Sequence, residues 1–228
     1  MLSLHDIAHF YGHRLILKRI SLTLPAGVSL LVGPNGAGKT TLLSIMGGLI
    51  SPTSGTVTFP EDAQVAMLGH TTFLYPELTG LENLTFWSKL YNQSPSQAAL
   101  RTVLEQVGLA AFGEERAGTY SRGMAQRLSL ARLLLVQPDI MLLDEPGTGL
   151  DSLSLTMLHK TIQNAAQKGT TIIWVTHSVE QDWPLADRVI HLADTEIAHN
   201  LPACEYAEQV LGVTNASTTQ EQAVACHA

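Results

Sequence analysis

Residues 28–49 constrain the fold of this chain more than any other stretch. The apolar run Val28–Val32 is typical of a buried strand, and apolar side chains at positions 42, 46 and 49 recur at helical spacing. Between them lies GPNGAGKT, Gly33–Thr40, which has two glycines five residues apart followed by Lys and Thr. A strand, a glycine-rich loop and a helix in this order predict a phosphate-binding loop in an α/β fold. A glycine-rich turn that matches by chance is the alternative, and the flanking elements argue against it.

The residue types in this loop suit the binding of phosphate groups and Mg²⁺. Glycines let backbone N–H groups turn inward around phosphate oxygens, and the following helix points its positive end at them. Lys39 can reach the β- and γ-phosphates, the Thr40 hydroxyl can bind Mg²⁺, and Thr41 offers a donor near the α-phosphate. The candidate nucleotide-binding residues of the loop are Gly33, Pro34, Asn35, Gly36, Ala37, Gly38, Lys39, Thr40 and Thr41.

Two carboxylates close a second apolar strand. Asp144 and Glu145 follow Ile140–Leu143, and Pro146 with a glycine-rich turn then stops the chain sharply. Beside a phosphate loop, Asp144 would hold Mg²⁺ through its water shell, and Glu145 would lie near the attacking water as general base. A solvated strand end is the alternative, and the sharp turn argues against it.

The remaining pattern alternates strands with helices, which predicts a mostly parallel sheet joined by crossover helices. Polar and apolar residues alternate in Ile20–Leu24, as in a half-buried strand, and the composition of Ser51–Gly55 indicates a turn. The other predicted elements are helices around Leu100–Val107, Leu128–Val136 and Leu155–Ala165 and a buried strand, Thr170–Thr176.

Composition excludes several classes of protein. The 228 residues carry 13 Lys and Arg against 20 Asp and Glu, a net charge of −7, whereas nucleic-acid binding normally needs a basic face. No apolar run approaches the roughly 20 residues that span a bilayer. Met1–Phe10 lacks the basic start and apolar centre of a signal peptide. We therefore expect a cytoplasmic, globular protein that does not bind nucleic acid.

The segment YSRGMAQR, Tyr120–Arg127, precedes the apolar helix. Ser121 is predicted to cap this helix, and its hydroxyl could face an anion together with the amides of Gly123 and Met124. Taken by itself the segment favours capping alone.

In chain order, the phosphate loop, Ser121-Arg-Gly-Met, Asp144-Glu145, Gly149-Leu-Asp151 and Thr176-His177 resemble the nucleotide-binding subunit of an ABC transporter. The resemblance extends over about residues 3–200. It implies the ABC nucleotide-binding fold of the P-loop NTPases. That fold has a mostly parallel core sheet flanked by helices, an antiparallel β subdomain and a helical signature subdomain. It also implies hydrolysis of ATP with Mg²⁺ as cofactor.

The resemblance implies contacts with nucleotide beyond the loop. Tyr11 stands where an aromatic ring stacks on adenine, although a surface aromatic is the alternative. Ser121 and Gly123 match residues that touch the γ-phosphate bound in a second subunit. Asp151 matches an aspartate at the interface between the two subunits.

The resemblance also implies the catalytic set. Glu145 matches the general base, His177 matches a histidine on the γ-phosphate, and Lys39 binds the transferred phosphoryl group. A histidine that closes a buried strand can alternatively be an ordinary core residue.

One residue departs sharply from the family pattern. His70 falls where the family has a glutamine that contacts Mg²⁺ and senses the membrane subunit. An imidazole is a poor Mg²⁺ ligand, so we expect His70 to communicate through hydrogen bonding; a plain loop histidine is the alternative.

The choice of subfamily within the ABC transporters depends on two short segments, Gly69-His70 and Leu78–Phe86. They look like the ATP-binding subunit of the cytochrome c maturation exporter, which is linked to haem handling. Exporters of drugs, polysaccharides or antibiotics share several of these residues and remain the alternative. A non-transport ABC ATPase and a regulatory module with little turnover are weaker alternatives. The single acidic cassette argues against the first, and the intact Glu145 and His177 argue against the second.

The resemblance implies two kinds of partner. One is an integral membrane permease, which would hold this chain as a peripheral subunit at the cytoplasmic face of the inner membrane. The other is a second ABC subunit, most simply a copy of this chain, that ATP closes onto the first. We expect the permease at residues 70–90, where the candidate contacts are Phe73, Tyr75, Phe86 and Trp87, unless these aromatics pack the subdomain's own core. We predict one ABC ATPase domain over 1–211, with a helical subdomain at about 72–136, and a flexible tail over 212–228.

Overall fold

The computed structural model describes residues 1–69 and 72–213, and these residues form two units. The first contains Met1–Met67, Asp139–Glu145 and the chain from Ala166 onward, and the second contains Leu68–Pro138 and Pro146–Ala165. His70 and positions 214–228 of the predicted tail lie outside the described residues. The domain boundaries expected from the sequence stay a prediction.

The strands alternate with helices as the sequence predicts. The strands are β1 Leu2–Tyr11, β2 Arg14–Leu24, β3 Gly27–Val32, β4 Ser54–Thr58, β5 Val65–Leu68, β6 Ile140–Asp144, β7 Thr171–Val175, β8 Arg188–Ala193 and β9 Glu196–Pro202. The helices are α1 Lys39–Met46, α2 Gly80–Leu90, α3 Gln97–Gln106, α4 Arg122–Val136, α5 Ser152–Gln167, α6 Val179–Asp182 and α7 Ala203–Gln209.

The larger sheet places the candidate site. Its strand order is β5-β6-β7-β3-β8-β9; β6, β7, β3 and β8 pair in parallel, and β9 pairs antiparallel with β8. Every residue of β6 and β7 is buried, as expected for strands covered on both faces. The carboxyl ends of parallel strands meet at one edge, so the segments that follow β3, β6 and β7 come together there.

The smaller sheet is antiparallel, in the order β2-β1-β4. Ile20, Leu22 and Leu24 are buried while Ser21 and Thr23 are exposed, which confirms the alternation expected from the sequence. The mostly parallel sheet and this antiparallel sheet confirm the predicted fold class.

Two predicted boundaries are wrong. Helix α1 ends at Met46 because Gly47 and the left-handed Gly48 follow it, and Leu49 is outside the helix and 65% exposed. The predicted turn Ser51–Gly55 ends early, since β4 already begins at Ser54. Residues 54 and 55 form a strand because they pair with β1, although their composition favours a turn. A local sequence pattern does not reveal such a long-range contact.

The second unit is helical and has its own core. One core cluster of this unit comes from α2, α3, α4 and the turns between them, and its buried residues are Leu81, Leu84, Leu100, Leu104, Val107, Leu109, Ala117, Leu128 and Ala131. Helix α2 begins with a capping box between Thr79 and Glu82, and α4 ends at the left-handed Gln137 before Pro138. None of the helices among residues 1–69 and 72–213 is long and apolar enough to cross a bilayer.

Asn83 fixes the turn that leads into α2. Its side chain is fully buried and accepts the N–H of Tyr75 at 2.8 Å. It donates to three carbonyl oxygens, those of Tyr75 at 3.0 Å, Leu78 at 3.2 Å and Thr79 at 3.0 Å. One amide group therefore adds four hydrogen bonds to the backbone of residues 75–79, beside the backbone bonds from Ala117 to Leu78 and from Gly118 to Pro76.

We expect Asn83→Ala to lower the free energy of unfolding by about 2 kcal/mol, because it leaves the N–H of Tyr75 without its partner and removes one hydrogen bond from each of three carbonyl oxygens. Chemical denaturation measures this loss. The matched control is Asn164→Ala, an exposed asparagine of α5, which should change stability by less than about 0.5 kcal/mol. Equal effects of the two substitutions would contradict the assignment.

Candidate nucleotide-binding site

The phosphate loop connects β3 to α1 and is shaped by close packing. Gly33 has φ +145°, and a Cβ at this position would lie 2.0 Å from the carbonyl oxygen of Leu192 in β8. Gly38 has φ +102° at the N-terminal cap of α1. The first glycine is thus required by the neighbouring strand, and the last one allows the chain to enter the helix.

A cavity of about 300 Å³ opens at this loop. It brings six of the predicted loop residues together with Glu145 and His177, which follow β6 and β7, whereas Gly33, Pro34 and Ala37 are not among the described residues that line it. The residues that line it are Arg14, Ile16, Asn35, Gly36, Gly38, Lys39, Thr40, Thr41, Glu145 and His177.

Lys39 is 6% exposed, and its ammonium group is held by the loop itself. Its Nζ donates to the carbonyl oxygens of Gly33 at 2.8 Å and Pro34 at 3.1 Å. Burial lowers the pKa of Lys39, and the carboxylates of Glu145 and Asp144 act in the opposite direction. Phosphate oxygens are stronger acceptors than these carbonyls, so a bound nucleotide can replace them.

Asp144 is 2% exposed at the end of β6, and its Oδ1 has no hydrogen-bond partner among the described residues. A buried carboxylate oxygen without a partner is unfavourable, and a carboxylate oxygen is the ligand type that Mg²⁺ prefers. The hydroxyl-bearing Thr40 lines the cavity. These two residues therefore fit the predicted Mg²⁺ site. His70, at the position where the family has a Mg²⁺-contacting glutamine, lies outside the described residues.

Glu145 and His177 contact each other, with Oε1 2.6 Å from Nε2. Glu145 has a left-handed backbone, φ 51°, and its N–H donates to the carbonyl oxygen of Val175 at 3.0 Å. The hydroxyl of Thr176, next to His177, donates to Asp182 at 2.6 Å. Hydrogen bonds at the ends of β6 and β7 therefore hold the backbone from which the Glu145 and His177 side chains extend.

The signature residues lie in the second unit. The Oγ of Ser121 accepts the N–H of Met124 at 3.2 Å, which confirms the predicted helix cap. Asp151 accepts the N–H of Ser154 at 2.7 Å, and this bond lowers the pKa of the carboxyl group. The contacts of Ser121, Gly123 and Asp151 with a nucleotide in a second subunit stay predictions.

The β1–β2 hairpin contributes two cavity residues that the sequence did not predict, and the stacking of Tyr11 on adenine stays a prediction. Tyr11 is 50% exposed, its ring lies edge-on to His9, and it is not among the described residues that line the cavity. Its register partner Arg14 does line the cavity, as does Ile16. Sequence reasoning missed both residues. The signal was the turn at Gly12-His13, which places residues 11 and 14 opposite each other.

Comparison with known proteins agrees with this geometry. A family model described as ABC transporter matches residues 17–148. This chain belongs to the ABC transporter family.

Several ABC relatives cover most of the chain. The linearmycin resistance ATP-binding protein LnrL of Bacillus subtilis is 35% identical over 202 residues, 83% of this chain and 65% of LnrL. The cytochrome c biogenesis ATP-binding export protein CcmA 2 of Cupriavidus metallidurans is 36% identical over 193 residues, 80% of this chain and 90% of that protein. The chain thus spans just under two thirds of the length of LnrL.

A solved structure confirms the predicted ABC cassette fold. It is a dimeric, post-hydrolysis state of the ATP-binding cassette MJ0796 bound to ADP and Pi. The match has a TM-score of 0.77 and 27% identity, and it covers 89% of this chain and 99% of that one.

Arg14 adds a second cation to the cavity that Lys39 lines. We expect Arg14→Ala to weaken binding of ATP about five-fold and of adenosine hardly at all, because the guanidinium attracts phosphate oxygens. Arg14→Lys should restore part of the affinity. Isothermal titration calorimetry with ATP and with adenosine measures both affinities. Arg19→Ala, an exposed arginine of β2 outside the cavity lining, is the matched control. An equal loss in both alanine variants would refute a direct contact.

Proposed function

We propose that this chain is the ATP-hydrolysing subunit of an ABC export complex. The observation that carries this proposal is the convergence of Lys39, Glu145 and His177 on one cavity at the phosphate loop. The cassette bound to ADP and Pi that this chain resembles supports ATP as the nucleotide.

We also propose that residues 1–211 form one ABC ATPase domain with a helical subdomain at about 72–136.

The geometry suits hydrolysis of the γ-phosphate. Loop amides and the Lys39 ammonium bind the phosphates and offset their charge. Glu145 accepts the proton of the attacking water, and His177, 2.6 Å from its Oε1, orients that carboxylate and contacts the γ-phosphate. Bound Mg²⁺, held through Thr40 and Asp144, would neutralise charge on the β- and γ-phosphates.

The site is incomplete in one copy, so we propose that two copies close around ATP. Ser121 and Gly123 of one copy would complete the site at Lys39 of the other, and Asp151 would lie at the interface. The dimeric cassette structure supports this arrangement. A nucleotide that bridges two copies favours closure before hydrolysis and separation afterwards.

We propose that the membrane permease contacts the start of the helical unit, with this chain on the cytoplasmic side of the membrane. Phe73, Tyr75 and Phe86 are exposed there, and Tyr75 and Phe86 pack edge to face with centroids 4.6 Å apart. Exposed aromatic rings are typical of protein interfaces. Trp87 is partly buried and packs against Phe86.

We further propose that the export complex handles haem during cytochrome c maturation. CcmA 2 supports it, because the match covers 90% of that protein whereas it covers 65% of LnrL. Export of an antibiotic is the alternative, which the linearmycin resistance protein LnrL favours.

We expect Glu145→Gln to lower the ATP turnover rate at least about 100-fold while ATP still binds, because the general base is lost and the phosphate contacts stay. Phosphate release measures turnover, and gel filtration with ATP should show a dimer. Glu180→Gln removes an exposed carboxylate of α6 and should keep turnover within about two-fold of the parent. Undiminished turnover in Glu145→Gln would contradict the assigned base.

The haem proposal is tested in cells whose own copy is replaced by Glu145→Gln. We expect cytochromes with covalent haem to disappear from a haem stain of membrane proteins while the apocytochromes are still made. Normal cytochromes together with new sensitivity to linearmycin would overturn haem handling in favour of antibiotic export. The ATPase assignment would stand in that case.

A further inference from the structure

The segment Thr72–Tyr75 is attached to helix α4 by a set of contacts that the ATPase chemistry does not use. Phe73 in this segment has φ +52°, a left-handed conformation that a bulky side chain rarely adopts. Such a conformation persists only where surrounding contacts enforce it. Two side-chain contacts and one stacked cation hold Phe73 in this conformation.

The first contact comes from Ser129 of α4. Its side chain is fully buried, and its Oγ donates to the carbonyl oxygen of Thr72 at 3.0 Å. Several other hydroxyls in helices of this unit bond to a carbonyl one turn back in their own helix, as Thr85 bonds to Leu81 and Ser88 to Leu84. Ser129 instead uses its hydroxyl to hold a different segment.

The second contact comes from Trp87 of α2. Its Nε1 donates to the carbonyl oxygen of Phe73 at 3.2 Å, next to the strained φ angle. The guanidinium of Arg132 in α4 lies over the Trp87 ring, 4.3 Å from its centroid. Trp87 is thus held between Phe73 and α4.

Arg132 is an unusual residue at this place. It is 4% exposed among apolar neighbours of α4, and burial lowers the pKa of its guanidinium. Burial also raises the pKa of the nearby Tyr91 hydroxyl, so both groups lose hydration. A buried cation is unfavourable unless its contacts compensate, and an apolar side chain would fill the space at lower cost.

Helix α4 connects these contacts to the signature residue. Ser121 caps its first turn, and Arg132 lies eleven residues later on the same helical face, about 16 Å along the axis. A hydrogen-bonded helix moves as a unit, so a displacement at Ser121 reaches Ser129 and Arg132. Because hydrogen bonds tolerate only a few tenths of an ångström, both backbone contacts are sensitive to that displacement.

We propose that Ser129, Trp87 and Arg132 form a latch that holds Phe73 in its left-handed conformation and releases it when ATP closes Ser121 onto a second subunit. Release changes how Phe73 and Tyr75 are presented to the membrane permease. This inference rests on the proposed function, because the trigger is the ATP-dependent contact at Ser121. The three latch residues are positioning residues and touch no nucleotide.

Hydrogen exchange tests the latch. The sample is the full chain with Glu145→Gln, so that ATP stays intact, and mass spectrometry follows peptides over residues 72–79 with and without ATP and Mg²⁺. The N–H of Tyr75 is protected by Asn83 and reports opening of the segment. We expect ATP to speed this exchange about ten-fold. With Ser129→Ala or Trp87→Phe added, exchange should already be fast without ATP, and ATP should change it less than about two-fold.

Ser88→Ala is the matched control, because it also removes a fully buried helical hydroxyl but one that bonds within its own helix. It should keep the slow exchange and the ATP response of the parent. The latch is overturned if Ser129→Ala and Trp87→Phe behave like Ser88→Ala, or if ATP dimerises the parent without changing the exchange. A parent that fails to bind ATP would overturn the proposed function itself, and the latch with it.

Discussion

The candidate site depends on the parallel pairing of three strands in register. In β7, Val175 lies opposite Leu31 of β3 on one side and opposite Asp144 of β6 on the other. The three strands therefore end in one row, and whatever follows them must meet at the same edge. The phosphate loop, Glu145 and His177 are what follow. The hydrogen bond from the Glu145 N–H to the Val175 carbonyl extends this pairing one residue beyond the strand.

The same edge concentrates charge that water would normally surround. Lys39 and Asp144 are both buried, the first with carbonyl partners from the loop and the second with one carboxylate oxygen unpartnered among the described residues. Burying charged groups costs stability unless other groups compensate. An arrangement that keeps a cation and a carboxylate in place beside the phosphate loop is therefore prepared for an anion with its counterion.

The sequence predicts those features of the site that are local. The glycine-rich loop, the carboxylates that close β6 and the Ser121 cap each follow from residues close together in the chain, and the structure places them as expected. Arg14 was missed because its position depends on how β2 pairs with β1. The start of β4 was misjudged for the same reason, since an edge strand is defined by its partner.

Polar side chains hold much of the backbone of residues 72–79, while Leu74 adds an apolar contact with the helical core. Asn83 holds Tyr75, Leu78 and Thr79, while Ser129 and Trp87 hold the two carbonyls before them. Apolar contacts weaken gradually when elements shift, but hydrogen bonds are lost over a small displacement and leave a buried group without a partner. A segment fixed in this way has discrete arrangements and few intermediate ones. Such a segment is suited to report a two-state event at the first turn of α4, the helix to which Ser129 attaches it. An apolar contact of equal stability would not be suited to this.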